Sequence, residues 1–144
     1  MDRKEFIKTC GCACLGVSSM AILLQGCVTT KSITAPIVRD HLVIQRTDFM
    51  KGEKAVEYLI VDNGQLQFPI YIFRFSETEY TALYLRCTHQ GNELNAYGDK
   101  LVCSAHGSEF DNKGNVIQGP AKEALRSFPV QITDQNILIS LKKA

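Results

Sequence analysis

The chain has 144 residues, with 16 lysines and arginines against 15 aspartates and glutamates and a formal net charge of +1. That balance gives nucleic-acid binding no support, and the length suits one folded domain rather than two. Six cysteines divide between the start, with Cys10, Cys12, Cys14 and Cys27, and the body, with Cys87 and Cys103.

Residues 1–27 carry the three parts of an export signal. Arg3, Lys4 and Lys8 make a basic start, Thr9 to Gly26 is uncharged, and the stretch closes on Leu24-Gln25-Gly26-Cys27. Those four residues resemble a bacterial lipobox, with Gln25 bulkier and more polar than the small residue usual at its position. Residues 1–26 are therefore expected to be removed and Cys27 to be lipidated. The start Asp2-Arg3-Lys4-Glu5-Phe6-Ile7-Lys8 also resembles the twin-arginine export motif, with Lys4 for the second arginine and Ile7 for leucine. An uncleaved anchor is the rival reading. Its 18 uncharged residues approach the roughly 20 needed for a span, but Gly11, Gly16, Ser18, Ser19 and Gln25 weaken it. Either reading puts the body outside the cytoplasm, in the periplasm or cell envelope, with a membrane-anchored lipoprotein preferred. The signal holds three of the 16 basic and two of the 15 acidic residues, which leaves 13 of each in the mature part.

Residues 27–40 read as the lipidated cysteine followed by a tether. From Val28 to about Arg39 the chain is rich in Thr, Ser and Lys, contains Pro36 and shows no sustained period. Twelve such residues would reach about 20 Å as a coil and about 40 Å fully extended.

Residues 41–144 read as one all-β domain. Short β-branched or aromatic runs predict strands at Leu42 to Gln45, Ala55 to Val61, Tyr71 to Phe75, Tyr80 to Leu85, Leu101-Val102, Gly114 to Ile117, Phe128 to Ile132 and Ile137 to Leu141. Turn signals at Asp62-Asn63-Gly64, Gly98-Asp99, Asn112-Lys113-Gly114 and Asp134-Gln135-Asn136 separate several of them. Tyr71, Phe73 and Phe75 alternate as the core face of a strand should, whereas Glu77 and Glu79 read as solvated.

Cys87-Thr88-His89 and Cys103-Ser104-Ala105-His106, separated by the thirteen residues 90–102, place two cysteines and two histidines in matched pairs. Thiolate and neutral imidazole in equal number can close a tetrahedral zinc site, or can divide an iron-sulfur cluster between two irons. The one-residue gap in Cys87-x-His89 is shorter than the common zinc spacing. His41, the remaining histidine, reads as an ordinary residue at a strand start.

The wider context is more specific. Cys87-Thr88-His89-Gln90-Gly91, then Cys103-Ser104-Ala105-His106-Gly107-Ser108-Glu109-Phe110-Asp111, then Gly119-Pro120-Ala121 resemble the three cluster-binding loops of the Rieske iron-sulfur proteins. The resemblance implies an antiparallel β sandwich with a small cluster-binding subdomain, carrying a 2Fe-2S cluster. It implies Cys87 and Cys103 as ligands of the inner iron, and His89 and His106 as ligands of the outer iron. Ser108 would donate a hydrogen bond to cluster or ligand sulfur, and Gly119 and Pro120 would belong to a covering third loop. Two neutral imidazoles in place of two thiolates make the cluster less negative, so reduction is expected at moderate potential. Electron uptake should couple to proton uptake at the imidazoles, giving a potential that is flat at low pH and falls as pH rises.

The chain departs from the family's quinol-oxidising members at two paired positions. Asn92 and Ala105 stand where those proteins carry a disulfide across the cluster, so packing and hydrogen bonds must hold the loops. Phe110 stands where a tyrosine often supplies a second donor, which implies an intermediate potential with Ser108 alone.

The implied role is a one-electron carrier, or a subunit of a larger oxidoreductase, between redox partners such as a cytochrome or a quinol-linked subunit. Enzymatic activity by this chain alone is not expected, because an oxygenase's second iron needs two further histidines and only His41 remains. A structural zinc module and a redox-sensing lipoprotein are the alternatives.

Overall fold

A computed structural model describes residues 30–142, and the export signal and lipobox expectations lie outside them. In chain order the strands are β1 (Lys31–Thr34), β2 (Ile37–Val38), β3 (His41–Gln45), β4 (Met50–Lys51), β5 (Lys54–Ala55), β6 (Tyr58–Asp62), β7 (Ile70–Arg74) and β8 (Tyr80–Tyr84). They continue as β9 (Asn95–Tyr97), β10 (Lys100–Val102), β11 (Glu109–Asp111), β12 (Val116–Gln118), β13 (Val130–Ile132) and β14 (Asn136–Ser140). The only helical element among the described residues is a 3-10 turn at Arg46–Phe49. No helix there is long and apolar enough to cross a membrane.

Three four-stranded sheets result, in the orders β13-β14-β3-β2, β1-β6-β7-β8 and β12-β11-β10-β9. The first two form the base. Leu42 and Ile44 of β3, Ile137 and Ile139 of β14, Leu59 and Val61 of β6, and Ile70 and Ile72 of β7 meet in one buried core. Residues of the opposite parity on the same middle strands, Tyr58, Tyr71, Phe73 and Leu83, enter a second core with Leu101 of β10 and Phe110 of β11. The middle sheet is thus buried on both faces, which is why β7 reads Ile-Tyr-Ile-Phe rather than apolar-polar alternation. The third sheet is the small subdomain expected above, and the all-β sandwich is observed.

The tether needs correction. Residues 31–34 pair in parallel with Leu59 to Asp62 of β6, residues 37–38 pair with β3, and Ala35 is buried. Thr, Ser and Lys suit an edge strand whose outer face is wet, and Ile33 and Ile37 on alternate positions pack on the base core. The folded body therefore begins by Lys31, and the reach computed for twelve free residues does not apply to 31–39.

Several strand limits also move. The run Ala55 to Val61 divides into β5 and β6, because Ala55 and Val56 bond back to Met50 and Phe49 in a hairpin while Tyr58 onward pairs with β7. Phe128 precedes β13 and bonds Ala82 across to β8, since Pro129 has no N–H to extend the strand backwards.

Candidate metal centre

Two loops leave the sheets with the same hydrogen-bond plan. In the first, the N–H of Cys87 donates to the carbonyl of Asn92 at 2.8 Å and the N–H of Gly91 donates to the carbonyl of Cys87 at 2.9 Å. In the second, Cys103 donates to Ser108 at 2.8 Å and Gly107 to Cys103 at 2.9 Å. The stems match as well: an Arg86–Glu93 bridge closes the first and the Val102–Glu109 pair of β10 and β11 closes the second. Gly91 and Gly107 have φ of +78° and +80°, where a Cβ costs about 1–2 kcal/mol. The glycines of the two motifs are therefore the residues that let each loop turn back on its cysteine.

This plan sorts the chemistry by depth. Cys87 and Cys103 are buried free thiols, packed in the second core with Leu94, Leu101, Phe110 and Ala121. His89 and His106 are exposed at the loop tips, with ring centroids 4.9 Å apart and planes 85° apart. Cysteines inward and histidines outward is the arrangement expected from the sequence.

The third segment ties the loops together. The N–H of Ala121 donates to Ser108 Oγ at 3.0 Å, and Ser108 is fully buried. Because that oxygen accepts from Ala121, the hydroxyl proton remains for another acceptor in the site. Gln118 Nε2 donates to the carbonyl of Gly107 at 3.0 Å, and Thr88 Oγ1 donates to the carbonyl of Glu123 at 2.7 Å. Segment 118–123 thus bonds the first loop once and the second loop twice. Gly119 and Pro120 are themselves exposed, and their peptide bond is cis. Only Ala121 of the three enters the apolar floor.

Thr88 and Gln118 were not singled out by sequence. Thr88 occupies the unrestricted position of Cys-x-His, and its partner lies 35 residues away. Asn92 and Ala105 are exposed on the separate loops, and the hydrogen bonds through 118–123 link the two loops without a covalent bridge there.

Beneath the site, the hydroxyl of Tyr71 donates to the carbonyl of Gly98 at 2.8 Å, tying the middle sheet to the β9–β10 turn. Burial, helped by the neighbouring Tyr58, Asp99 and Glu57, raises its pKa above the ordinary tyrosine value, so it stays a neutral donor.

Among the described residues, no three His, Cys, Asp or Glu side chains gather as they would about one ion. Two buried thiols lie below two exposed imidazoles, which sets soft donors on the dry side and neutral nitrogen donors on the wet side.

Residues 41–129 match the Rieske [2Fe-2S] domain. The chain belongs to the Rieske family. Its cofactor is a Rieske-type 2Fe-2S cluster, and the donor set described above fits it. The chain is 39% identical over 127 residues to the cytochrome b6-f complex iron-sulfur subunit of Synechococcus elongatus, covering 87% of this chain and 62% of that one. A Prochlorococcus marinus subunit of the same name is 39% identical over 56 residues, covering 38% of this chain and 32% of that one. This Rieske chain thus spans between about a third and three-fifths of those two relatives. Among solved structures, the cyanobacterial plasma membrane Rieske protein PetC3 from Synechocystis PCC 6803 superposes with a TM-score of 0.51 at 29% identity, covering 58% of this chain and 86% of that one. The quaternary ammonium Rieske monooxygenase CntA, at 15% identity and a TM-score of 0.54 over 71% of this chain and 31% of its own, shares the fold.

Proposed function

We propose that Cys87 and Cys103 hold the inner iron of the Rieske cluster, that His89 and His106 hold the outer iron, and that the protein carries one electron at a time between a donor and an acceptor. The observation that carries this reading is the depth sorting: both thiols at the apolar floor, both imidazoles at the surface and side by side. When bound, the cluster supplies a one-electron couple whose potential follows its ligand charge and hydrogen bonding. The residues around it do the rest. Leu94, Leu101 and Phe110 keep water from the thiol side, and Ser108 offers its hydroxyl proton to a sulfur. His89 and His106 face solvent, where a partner can reach them.

The partners follow the relatives' printed identity as iron-sulfur subunits of a cytochrome b6-f complex. A cytochrome or a quinol-linked subunit therefore suits as donor or acceptor. Removal of residues 1–26 and lipidation of Cys27 would leave a short link at 28–30 before the folded body that begins at Lys31, and would hold that body at the outer face of a membrane. Cys27→Ala should then shift the protein from the membrane to the soluble fraction.

The deciding experiment is anaerobic purification of the chain, with its absorption spectrum and the reduced-state electron paramagnetic resonance spectrum. A visible iron-sulfur band and a rhombic signal with an average g typical of mixed histidine-cysteine ligation are expected. A colourless protein holding one zinc ion would overturn the function.

A further inference from the structure

A cleft of about 450 Å³ opens on the His89 side of the centre. Arg86 and Arg126 line it together with Tyr84, Thr88, His89 and Glu123. Backbone bonds set the two arginines about one tyrosine: Arg86 N–H donates to the carbonyl of Tyr84 at 2.8 Å, and Tyr84 N–H donates to the carbonyl of Arg126 at 2.9 Å.

Their guanidinium groups pack against neighbouring residues. That of Arg126 lies 4.6 Å from the ring centroid of Phe128 and 5.8 Å from that of Tyr84. That of Arg86 lies beside Gly91, where a Cβ would stand 3.1 Å from its Nε and Nη2. Attraction to an aromatic ring uses none of a guanidinium's N–H donors. Arg46, by contrast, spends its donors on the carbonyls of Thr133 and Glu77. Neither Arg86 nor Arg126 forms an ion pair among the described residues.

We propose that this cleft docks carboxylates presented by an acidic surface of the protein's redox partner, and so seats that partner against His89. The inference rests on the electron-carrier reading above and names the kind of partner that reading requires. Charge complementarity carries it. Two guanidinium groups with free donors face one carboxylate, Glu123, so the cleft keeps an excess of positive charge. The guanidinium fork matches a carboxylate in two parallel hydrogen bonds. A partner held there touches the imidazole that lines the same cleft.

The test uses the full chain carrying its cluster, in neutral detergent at low salt, titrated calorimetrically with a hexaglutamate peptide. Hexalysine and inorganic phosphate serve as comparisons. Hexaglutamate is expected to bind, to weaken about threefold in Arg86→Gln and in Arg126→Gln, and to weaken roughly tenfold in the double variant. Added salt should weaken it further. Lys54→Gln, which removes the same charge from the β4–β5 hairpin, should leave binding unchanged. Saturating hexaglutamate should also lower the midpoint potential, because carboxylates beside the centre oppose an added electron, and the double variant should lose that shift.

The visible band of the same sample keeps the two readings apart. Absence of the band refutes the carrier itself. An intact band without hexaglutamate binding overturns the docking proposal. So does equal weakening by Lys54→Gln, or phosphate binding as tightly as hexaglutamate.

Discussion

The Ala121 N–H and the Ser108 Oγ meet at 3.0 Å at a fully buried point, so the second loop and the third segment share one polar contact in an otherwise apolar floor. Ser108→Ala leaves the Ala121 N–H without its partner, a loss of about 1–3 kcal/mol. It also removes the hydroxyl proton proposed to face a sulfur. A lower denaturation midpoint and a lower reduction potential by protein-film voltammetry are expected together. Phe110→Tyr, which adds a donor on β11, should move the potential upward. If both variants kept the parent potential, the proposed hydrogen bonding would be refuted.

Thr88 is the first loop's side-chain link to the third segment, through the carbonyl of Glu123 at 2.7 Å. Thr88→Val keeps the shape and loses the bond, at a cost of about 0.5–1.5 kcal/mol. The visible band should bleach faster on dilution into chelator, and Thr88→Ser should restore the parent rate. A Val variant that bleaches no faster than the parent would remove Thr88 from the clamp.

Gly91→Ala and Gly107→Ala each place a Cβ at positive φ and should destabilise the fold by about 1–2 kcal/mol. Gly91→Ala has the added task of displacing the Arg86 guanidinium. Gly64→Ala, with open space around its Cβ and no positive φ, should be close to neutral. Urea unfolding of the three variants checks the order, and equal midpoints would show that neither loop depends on its turn.

Tyr71 makes stability depend on alkaline pH. Its folded pKa lies above the ordinary value of 10.0, so the native chain holds this proton where the unfolded chain releases it. The stabilisation is complete below pH 10.0 and is lost as pH rises above that value towards the folded pKa. Tyr71→Phe loses the bond to Gly98, about 0.5–1.5 kcal/mol near neutrality, and should show a shallower alkaline decline. Urea unfolding on either side of pH 10.0 measures both, and parallel declines would exclude Tyr71 as the cause.

Much of the centre was legible because its residues are close in the chain. Cys87, His89 and Gly91 share one loop, and Cys103, His106, Gly107 and Ser108 share the other, so donor chemistry and turn residues lie within six positions of each other. The strands β3, β7, β8 and β14 were legible for a similar reason, since a run of β-branched and aromatic residues reports its own burial. β1 was hidden because an edge strand needs few apolar residues when its partner, β6, supplies the ladder. β9 and β11 were hidden because neither Asn-Ala-Tyr nor Glu-Phe-Asp contains a β-branched residue.

The sequence by itself determined the kind of centre and the all-β class, because ligand identity, glycine turns and strand composition are local properties. Only the tertiary structure decided that Thr88 reaches Glu123, that Ser108 accepts from Ala121, and that Arg86 and Arg126 face one cleft beside His89. Those contacts join residues far apart in the chain, and pairing at that range is set by sheet order and register rather than by any residue's own preference.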